Sequence, residues 1–195
     1  MAKVISYANQ KGGVGKSTLC IQTAFYLSLK RKKKVLVVDM DGQGNTSSRL
    51  APRVTDDDGS FEPILSGTKT AELFQDSLES IEVIKCPAGM DLIHTPKNDP
   101  ALFEMEAVPL DQAMNPARNL AELFEQYDYV LIDCPPSSGL LGVNAMFAAA
   151  ELLIPVSGDY LSLQGLSRMM QVMKRAEELA GHRIRLWLVS TRMQM

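Results

Sequence analysis

One stretch constrains this chain more than any other: Gln10-Lys11-Gly12-Gly13-Val14-Gly15-Lys16-Ser17-Thr18. Val4 to Ala8 precede it, a short apolar run that reads as a buried strand. A helical pattern follows, with Cys20, Ile21, Ala24, Phe25 and Leu27 on a broad apolar stripe and Gln22, Tyr26 and Lys30 opposite. A glycine-rich turn between strand and helix lets backbone N–H groups converge on an anion, and the helix adds the positive end of its dipole. Gly12, Gly13, Val14 and Gly15 are the expected cradle. Lys16 is placed to neutralise β- and γ-phosphates, Ser17 to offer a hydroxyl to Mg²⁺, and Thr18 to bond the α-phosphate. The competing reading is a glycine-rich turn with incidental lysines. Eight consecutive motif residues between a strand and a helix argue against it.

Downstream, strands and helices alternate. Val35 to Val38 is a continuous apolar run ending at Asp39, as expected of a parallel strand covered on both faces. Pro52 to Gly67, with Asp56-Asp57-Asp58-Gly59, reads as an exposed acidic loop. Ile81 to Lys85 and Met90 to His94 are strand candidates flanking Pro87-Ala88-Gly89. Asn115-Pro116 reads as a helix start with Asn as N-cap, followed by Ala117, Leu120, Ala121 and Phe124 on one face. Val130 to Ile132 is a strand ending at Asp133, Asn144 to Ala150 a helix, and Leu152 to Val156 a strand. Leu163, Leu166, Met170 and Met173 mark a further amphipathic helix, and Ile184 to Val189 the last strand. The expected fold class is α/β, a mostly parallel twisted sheet with helices on both faces.

At 195 residues, 46% hydrophobic and 22% charged, the chain suits one globular domain with a substantial core. Its net charge of −3 does not by itself draw it to nucleic acid. Leu166 to Met195 carries a local +4, however, which leaves −7 elsewhere. Cys20, Cys86 and Cys134 have neither metal-ligand nor disulfide spacing and read as free thiols in a reducing cytosol. No signal peptide is visible, and no apolar run is long enough to cross a bilayer.

Asp39, Asp41 and Asp133 fall at strand ends on the edge that carries the phosphate loop, where ligands bind in doubly wound folds. A lone strand-terminal aspartate is more often a cap or turn residue. Their order and placement after the loop favour a functional reading.

The loop departs from the general P-loop pattern: Gln10 stands where glycine is usual, and Lys11 adds a second lysine. Lys-Gly-Gly-Val-Gly-Lys-Ser-Thr closely resembles the deviant Walker A form of the ParA/MinD ATPases. The resemblance implies that Lys11 reaches across a nucleotide-sandwich dimer to the partner's phosphates, where a second cation would offset charge on the departing γ-phosphoryl. It implies that Asp39 supports the Mg²⁺ shell through water. It implies too that Asp41 positions or activates the attacking water and that Asp133, ending a Walker B-like strand, holds a magnesium-bound water. Gly42 replaces a usual proline, which is expected to loosen that loop. Pro135-Pro136-Ser137-Ser138-Gly139 resembles the family's second switch. Leu153 to Val156 and Asp159 to Leu166 resemble a region leading to a helix near the dimer interface.

Ala8-Asn9-Gln10 and Gln43-Gly44-Asn45 look more like ParA/Soj partition proteins than MinD. The sequence stops at Met195, directly after a strand, without the membrane-targeting tail of MinD. Related proteins usually continue through further helices and a strand, so residues 1–195 read as a single P-loop ATPase domain, either compact or shortened. The resemblance implies a weak Mg²⁺-dependent ATPase that is a homodimer in its ATP state. It would work with a ParB-like or other adaptor protein and nonspecific DNA, in the cytoplasm and at the nucleoid, with no membrane. Arg168, Lys174, Arg175, Arg183 and Arg185 are the DNA candidates, against a salt-bridged surface in which Lys174 and Glu178 pair at i,i+4. The basic run Lys30 to Lys34 reads as a solvated helix end. The cargo could be DNA or a protein assembly. The alternatives are a metabolic enzyme of the dethiobiotin or cobyrinate synthetase type and a regulator that uses ATP only to dimerise.

Overall fold

The computed structural model describes residues 2–55, 59–105, 114–136, 140–157 and 160–191. Nine strands and six α-helices are described. The strands are β1 (Lys3–Tyr7), β2 (Val35–Asp39), β3 (Arg53–Thr55), β4 (Phe61–Pro63), β5 (Ile84–Lys85), β6 (Asp91–Ile93), β7 (Tyr129–Asp133), β8 (Glu151–Ser157) and β9 (Arg185–Thr191). The helices are α1 (Lys16–Phe25), α2 (Asn45–Leu50), α3 (Pro100–Glu104), α4 (Asn115–Phe124), α5 (Leu140–Phe147) and α6 (Tyr160–Ala180). Seven strands form one sheet in the order β5-β6-β2-β7-β1-β8-β9, parallel throughout except for the β5–β6 pair.

Alternate residues of the central strands feed two cores. Leu36 and Val38 of β2 join Val4, Val130, Ile132, Leu152 and Ile154 on one face, covered by Leu120 of α4, Ala145 of α5, and Met169 and Ala176 of α6. Val35 and Val37 join Ile5, Tyr7 and Leu131 on the other, covered by Cys20, Ile21, Ala24 and Leu27 from α1 and the turn after it. Burial on both faces explains why these strands are continuous apolar runs. The mostly parallel sheet with helices on both faces is as expected. The three cysteines are free and buried.

Four details differ from the sequence reading. Part of the acidic loop is ordered as an antiparallel hairpin, β3 with β4, while Asp56 to Asp58 lie outside the described residues. Asn115 is not the N-cap of α4; it sits one residue inside, and its amide donates to the Phe74 carbonyl at 3.0 Å, a buried bond that outweighs capping. The helix expected over 144–150 is Leu140–Phe147. On α6 Met169 and Ala176 are buried in the core, Leu166 and Met173 of the expected stripe pack partly buried beside them, and Met170 is exposed. Pro-Pro-Ser-Ser-Gly is described only through Pro136, and Asp159 is not described.

Candidate functional site

The loop after β1 turns where Gly13 and Gly15 adopt left-handed backbone, with φ of 70° and 99°. Those angles favour glycine. A Cβ on Gly12 would meet nothing within 4 Å, so the curve of the loop is open to a ligand. Asn9 fixes its entry. The Asn9 amide donates to the Pro155 carbonyl at 2.7 Å, and its oxygen accepts from the Lys11 N–H at 3.0 Å. At the far side Thr191, the last residue of β9, donates its hydroxyl to the Val14 carbonyl at 2.8 Å.

These elements enclose a cleft of about 580 Å³. The loop from Gly12 to Thr18 forms one wall, and Asp41, Gln43, Asn45, Pro136 and Thr191 contribute the rest. Lys16 is buried, with Nζ 3.5 Å from the Lys11 carbonyl. Burial lowers its pKa, and the nearby Asp133 carboxylate opposes that shift. Lys11 is outside the cleft's lining, with Nζ directed to Ser157 Oγ at 3.5 Å.

Asp39 and Asp133 lie beneath the cleft at the ends of neighbouring strands, paired in register. Asp39 Oδ2 accepts from the Ser47 N–H at 2.8 Å and the Ser47 hydroxyl at 2.7 Å, and Oδ1 accepts from the Asp41 N–H at 3.3 Å. Burial, and then the neighbouring Asp133 charge, push its pKa well above the usual carboxylate range. Asp133 Oδ2 accepts from the Thr46 hydroxyl at 2.6 Å, while buried Oδ1 has no hydrogen-bond partner among the described residues. Burial pushes the Asp133 pKa up to about 6, with the Thr46 and Ser17 hydroxyls acting against it. A buried carboxylate oxygen without a partner fits a cation or its bound water. Among the described residues no three His, Cys, Asp or Glu side chains form a metal cage. Mg²⁺ keeps several waters and relies on one or two carboxylates plus phosphates, a role for which Asp133 Oδ1 is placed.

The segment after β2 is held firmly, contrary to the looseness expected of Gly42. The Gln43 N–H bonds Asp41 Oδ1 at 3.0 Å, Gly44 N–H bonds the Asp41 carbonyl at 2.8 Å, and Asp99 N–H bonds the Gly42 carbonyl at 2.9 Å. A Cβ on Gly42 would come within 2.6 Å of the Phe103 ring. Glycine here therefore admits a packed aromatic side chain.

The structure thus gathers Lys16, Ser17, Thr18, Asp41 and the four-residue cradle around one cleft, with Asp39 and Asp133 below it and Lys11 beside it. The DNA candidates stand apart, Arg168, Lys174 and Arg175 on α6, Arg183 in the turn after it and Arg185 at the start of β9. Among the described residues three of the five are paired: Arg175 with Glu178 at 3.8 Å, Arg183 with Glu177 at 3.5 Å, and Arg185 with Glu151 at 3.3 Å. The expected Lys174–Glu178 pair is replaced by Arg175–Glu178. Thr46, Ser47, Asn9 and Thr191 escaped sequence reasoning. The signal for the first two was a hydroxyl run, Thr46-Ser47-Ser48, at a helix start beside two buried aspartates.

The AAA domain family matches residues 2–186. The chromosome-partitioning ATPase Soj of Treponema pallidum is 35% identical over 179 residues, covering 91% of this chain and 66% of its own. The chromosome partitioning protein ParA of Myxococcus xanthus is 38% identical over 172 residues, covering 87% of this chain and 57% of its own. This chain therefore spans two thirds or less of the length of these relatives. Among solved structures, cobyrinic acid a,c-diamide synthase from Mycobacterium smegmatis with bound ADP and magnesium superposes with a TM-score of 0.78 at 28% identity, covering 97% of this chain and 74% of its own. The phosphate loop, its strand-end aspartates and these likenesses together place the chain in the ParA/Soj family of partition ATPases.

Proposed function

We propose that residues 1–195 form one P-loop ATPase domain that uses ATP to switch between monomer and dimer, and so positions cargo, most simply plasmid or chromosome DNA. The observation that carries this reading is the cleft itself: buried Lys16 lies near Asp133, whose Oδ1 has no hydrogen-bond partner among the described residues, beneath a glycine cradle. ATP is the expected substrate and Mg²⁺ the expected metal. Backbone N–H groups of Gly12 to Lys16 bind phosphate oxygens, and Lys16 balances their charge. Ser17 and Asp133 hold the metal, which when bound neutralises charge on the β- and γ-phosphates. Asp39 acts indirectly, since its oxygens are occupied by Ser47 and the Asp41 N–H. Asp41 lines the cleft and orients the water that attacks the γ-phosphate.

Lys11 lies beside its own cleft, a placement that suits a lysine acting on a partner subunit's nucleotide. ADP lacks the phosphate that both subunits would grip, so hydrolysis reopens the dimer. The reaction is expected to be slow and Mg²⁺-dependent, stimulated by a ParB-like or other adaptor. The ATP form would bind nonspecific DNA, giving a cytoplasmic protein that associates with the nucleoid. Among the described residues no helix is long and apolar enough to cross a membrane.

The likeness to cobyrinic acid a,c-diamide synthase keeps a metabolic reading in view, in which ATP turnover needs a small carboxylic acid. Phosphate release measured with DNA plus an adaptor, against the same assay with cobyrinic or other small acids, separates the two. Stimulation by DNA and adaptor supports the switch. Stimulation only by an acid contradicts it.

A further inference from the structure

The phosphate loop is braced by the sheet beside it. Ser157 and Thr191 are the last register pair of β8 and β9, and each reaches the loop. Ser157 Oγ lies 3.5 Å from Lys11 Nζ at the loop's start, and the Thr191 hydroxyl donates to the Val14 carbonyl at 2.8 Å near its end. Two residues before Ser157, the Pro155 carbonyl takes the Asn9 amide at 2.7 Å. The ends of two neighbouring strands thus hold both limbs of the glycine curve.

A threonine hydroxyl has one proton to give. Two carbonyls lie within reach of Thr191, Val14 at 2.8 Å and Val156 at 3.4 Å, and the shorter bond claims the proton. Val14 is buried, where a carbonyl needs a partner, so the contact has a purely structural use as well. Its geometry reaches further. The peptide that follows is trans, so the Val14 C=O and the Gly15 N–H point in opposite directions. Pinning the carbonyl toward β9 turns the Gly15 N–H away from that strand. Gly15 itself, at φ 99°, has no side chain to fix the plane, and Thr191 Cγ2 lies 3.9 Å from where its Cβ would stand. Thr191 supplies the missing constraint from 177 residues along the chain.

We propose that Thr191 is a positioning residue of the nucleotide site: by holding the Val14 carbonyl it aims the Gly15 N–H into the hollow of the loop, where that N–H donates to a phosphate oxygen. The inference rests on the reading of this cleft as a phosphate site and adds to it a residue outside the loop. Thr191 acts through the backbone and bonds no phosphate itself.

The test is calorimetric titration of Mg²⁺-ADP into wild type, Thr191→Val and Thr191→Ser, with the Gly15 amide followed by ¹H–¹⁵N correlation spectra. Valine keeps the methyl and removes the hydroxyl; serine keeps the hydroxyl. Valine also suits this partly buried strand end, so the variant should fold. Thr191→Val should lose about tenfold in affinity, the size of one hydrogen bond to a charged group, and Thr191→Ser should recover most of it. The Gly15 amide should shift strongly with ADP in wild type and Thr191→Ser, and little in Thr191→Val. A structural brace alone would lower urea stability and leave that shift in place. An unchanged Gly15 shift in Thr191→Val, or no recovery in Thr191→Ser, would overturn the proposal. Wild-type protein that binds no Mg²⁺-ADP would overturn the phosphate reading and this inference together. Equal ADP affinity in wild type and Thr191→Val would overturn this inference alone.

Discussion

Asp39 and Asp133 stand side by side in register on adjacent parallel strands, both side chains fully buried below the phosphate loop. Two such carboxylates repel each other, and burial adds to the cost of charging them. Burial above all, with the Asp41 charge adding to it, pushes the Asp133 pKa up to about 6, and the Asp133 charge in turn helps to raise that of Asp39. In the nucleotide-free protein Asp133 contributes stability that is fully present below about pH 4 and is lost as pH rises through 6. A bound cation prefers the ionised form, so metal–nucleotide binding must displace a proton at acid pH. Affinity for Mg²⁺-nucleotide should therefore rise about tenfold between pH 5 and 7 beyond the titration of the nucleotide itself. Calorimetry on wild type and Asp133→Asn isolates the effect, which the variant should lack. Thr46→Val removes the hydroxyl bonded to Asp133 and should move the rise to higher pH. Identical profiles in all three proteins would remove Asp133 from the metal's surroundings.

Gly44 holds the start of α2 against the segment after β6. Its φ is 63°, and a Cβ would come within 2.6 Å of the Thr95 carbonyl oxygen and 2.7 Å of that of Pro96. Backbone atoms cannot swing aside as a side chain can. Gly44→Ala should cost about 2 kcal/mol or more, from the left-handed backbone and the clash together. Gly42→Ala, which meets only the half-exposed Phe103 ring, should cost less. Urea denaturation of the two variants checks the order, and a reversed order would show that the turn is held some other way.

The proposed function divides the work of binding and reaction between Lys16 and Asp41. Lys16→Ala should lower nucleotide affinity by 100-fold or more, on the order of 3 kcal/mol for a lost charge-assisted contact. Asp41→Ala should bind ATP normally and release phosphate at least about 100-fold more slowly, as expected when the group orienting a reacting water is lost. Equilibrium binding and single-turnover hydrolysis, measured on both proteins, separate the roles. Full turnover by Asp41→Ala would remove it from the reaction.

The phosphate loop was legible because the chemistry needs its residues in one unbroken run between a strand and a helix. Asp39, Asp41 and Asp133 were legible because parallel strands end at one edge, so a carboxylate after an apolar run has a known place. Thr191 was not. It reaches the Val14 carbonyl from the end of the last strand, and no local pattern marks it. Asn115 was misassigned for a related reason: its local cue fits a cap, but the Phe74 carbonyl, distant in sequence, recruits the amide.

The most direct test of a two-subunit nucleotide switch is molar mass by light scattering during size exclusion, with saturating Mg²⁺ and a nonhydrolysable ATP analogue. Wild-type protein should double its mass with the analogue and remain a monomer with ADP. Lys11→Ala should bind the analogue with near-normal affinity yet stay monomeric. A wild-type mass indifferent to nucleotide, or a Lys11→Ala protein that dimerises as readily as wild type, would contradict the account.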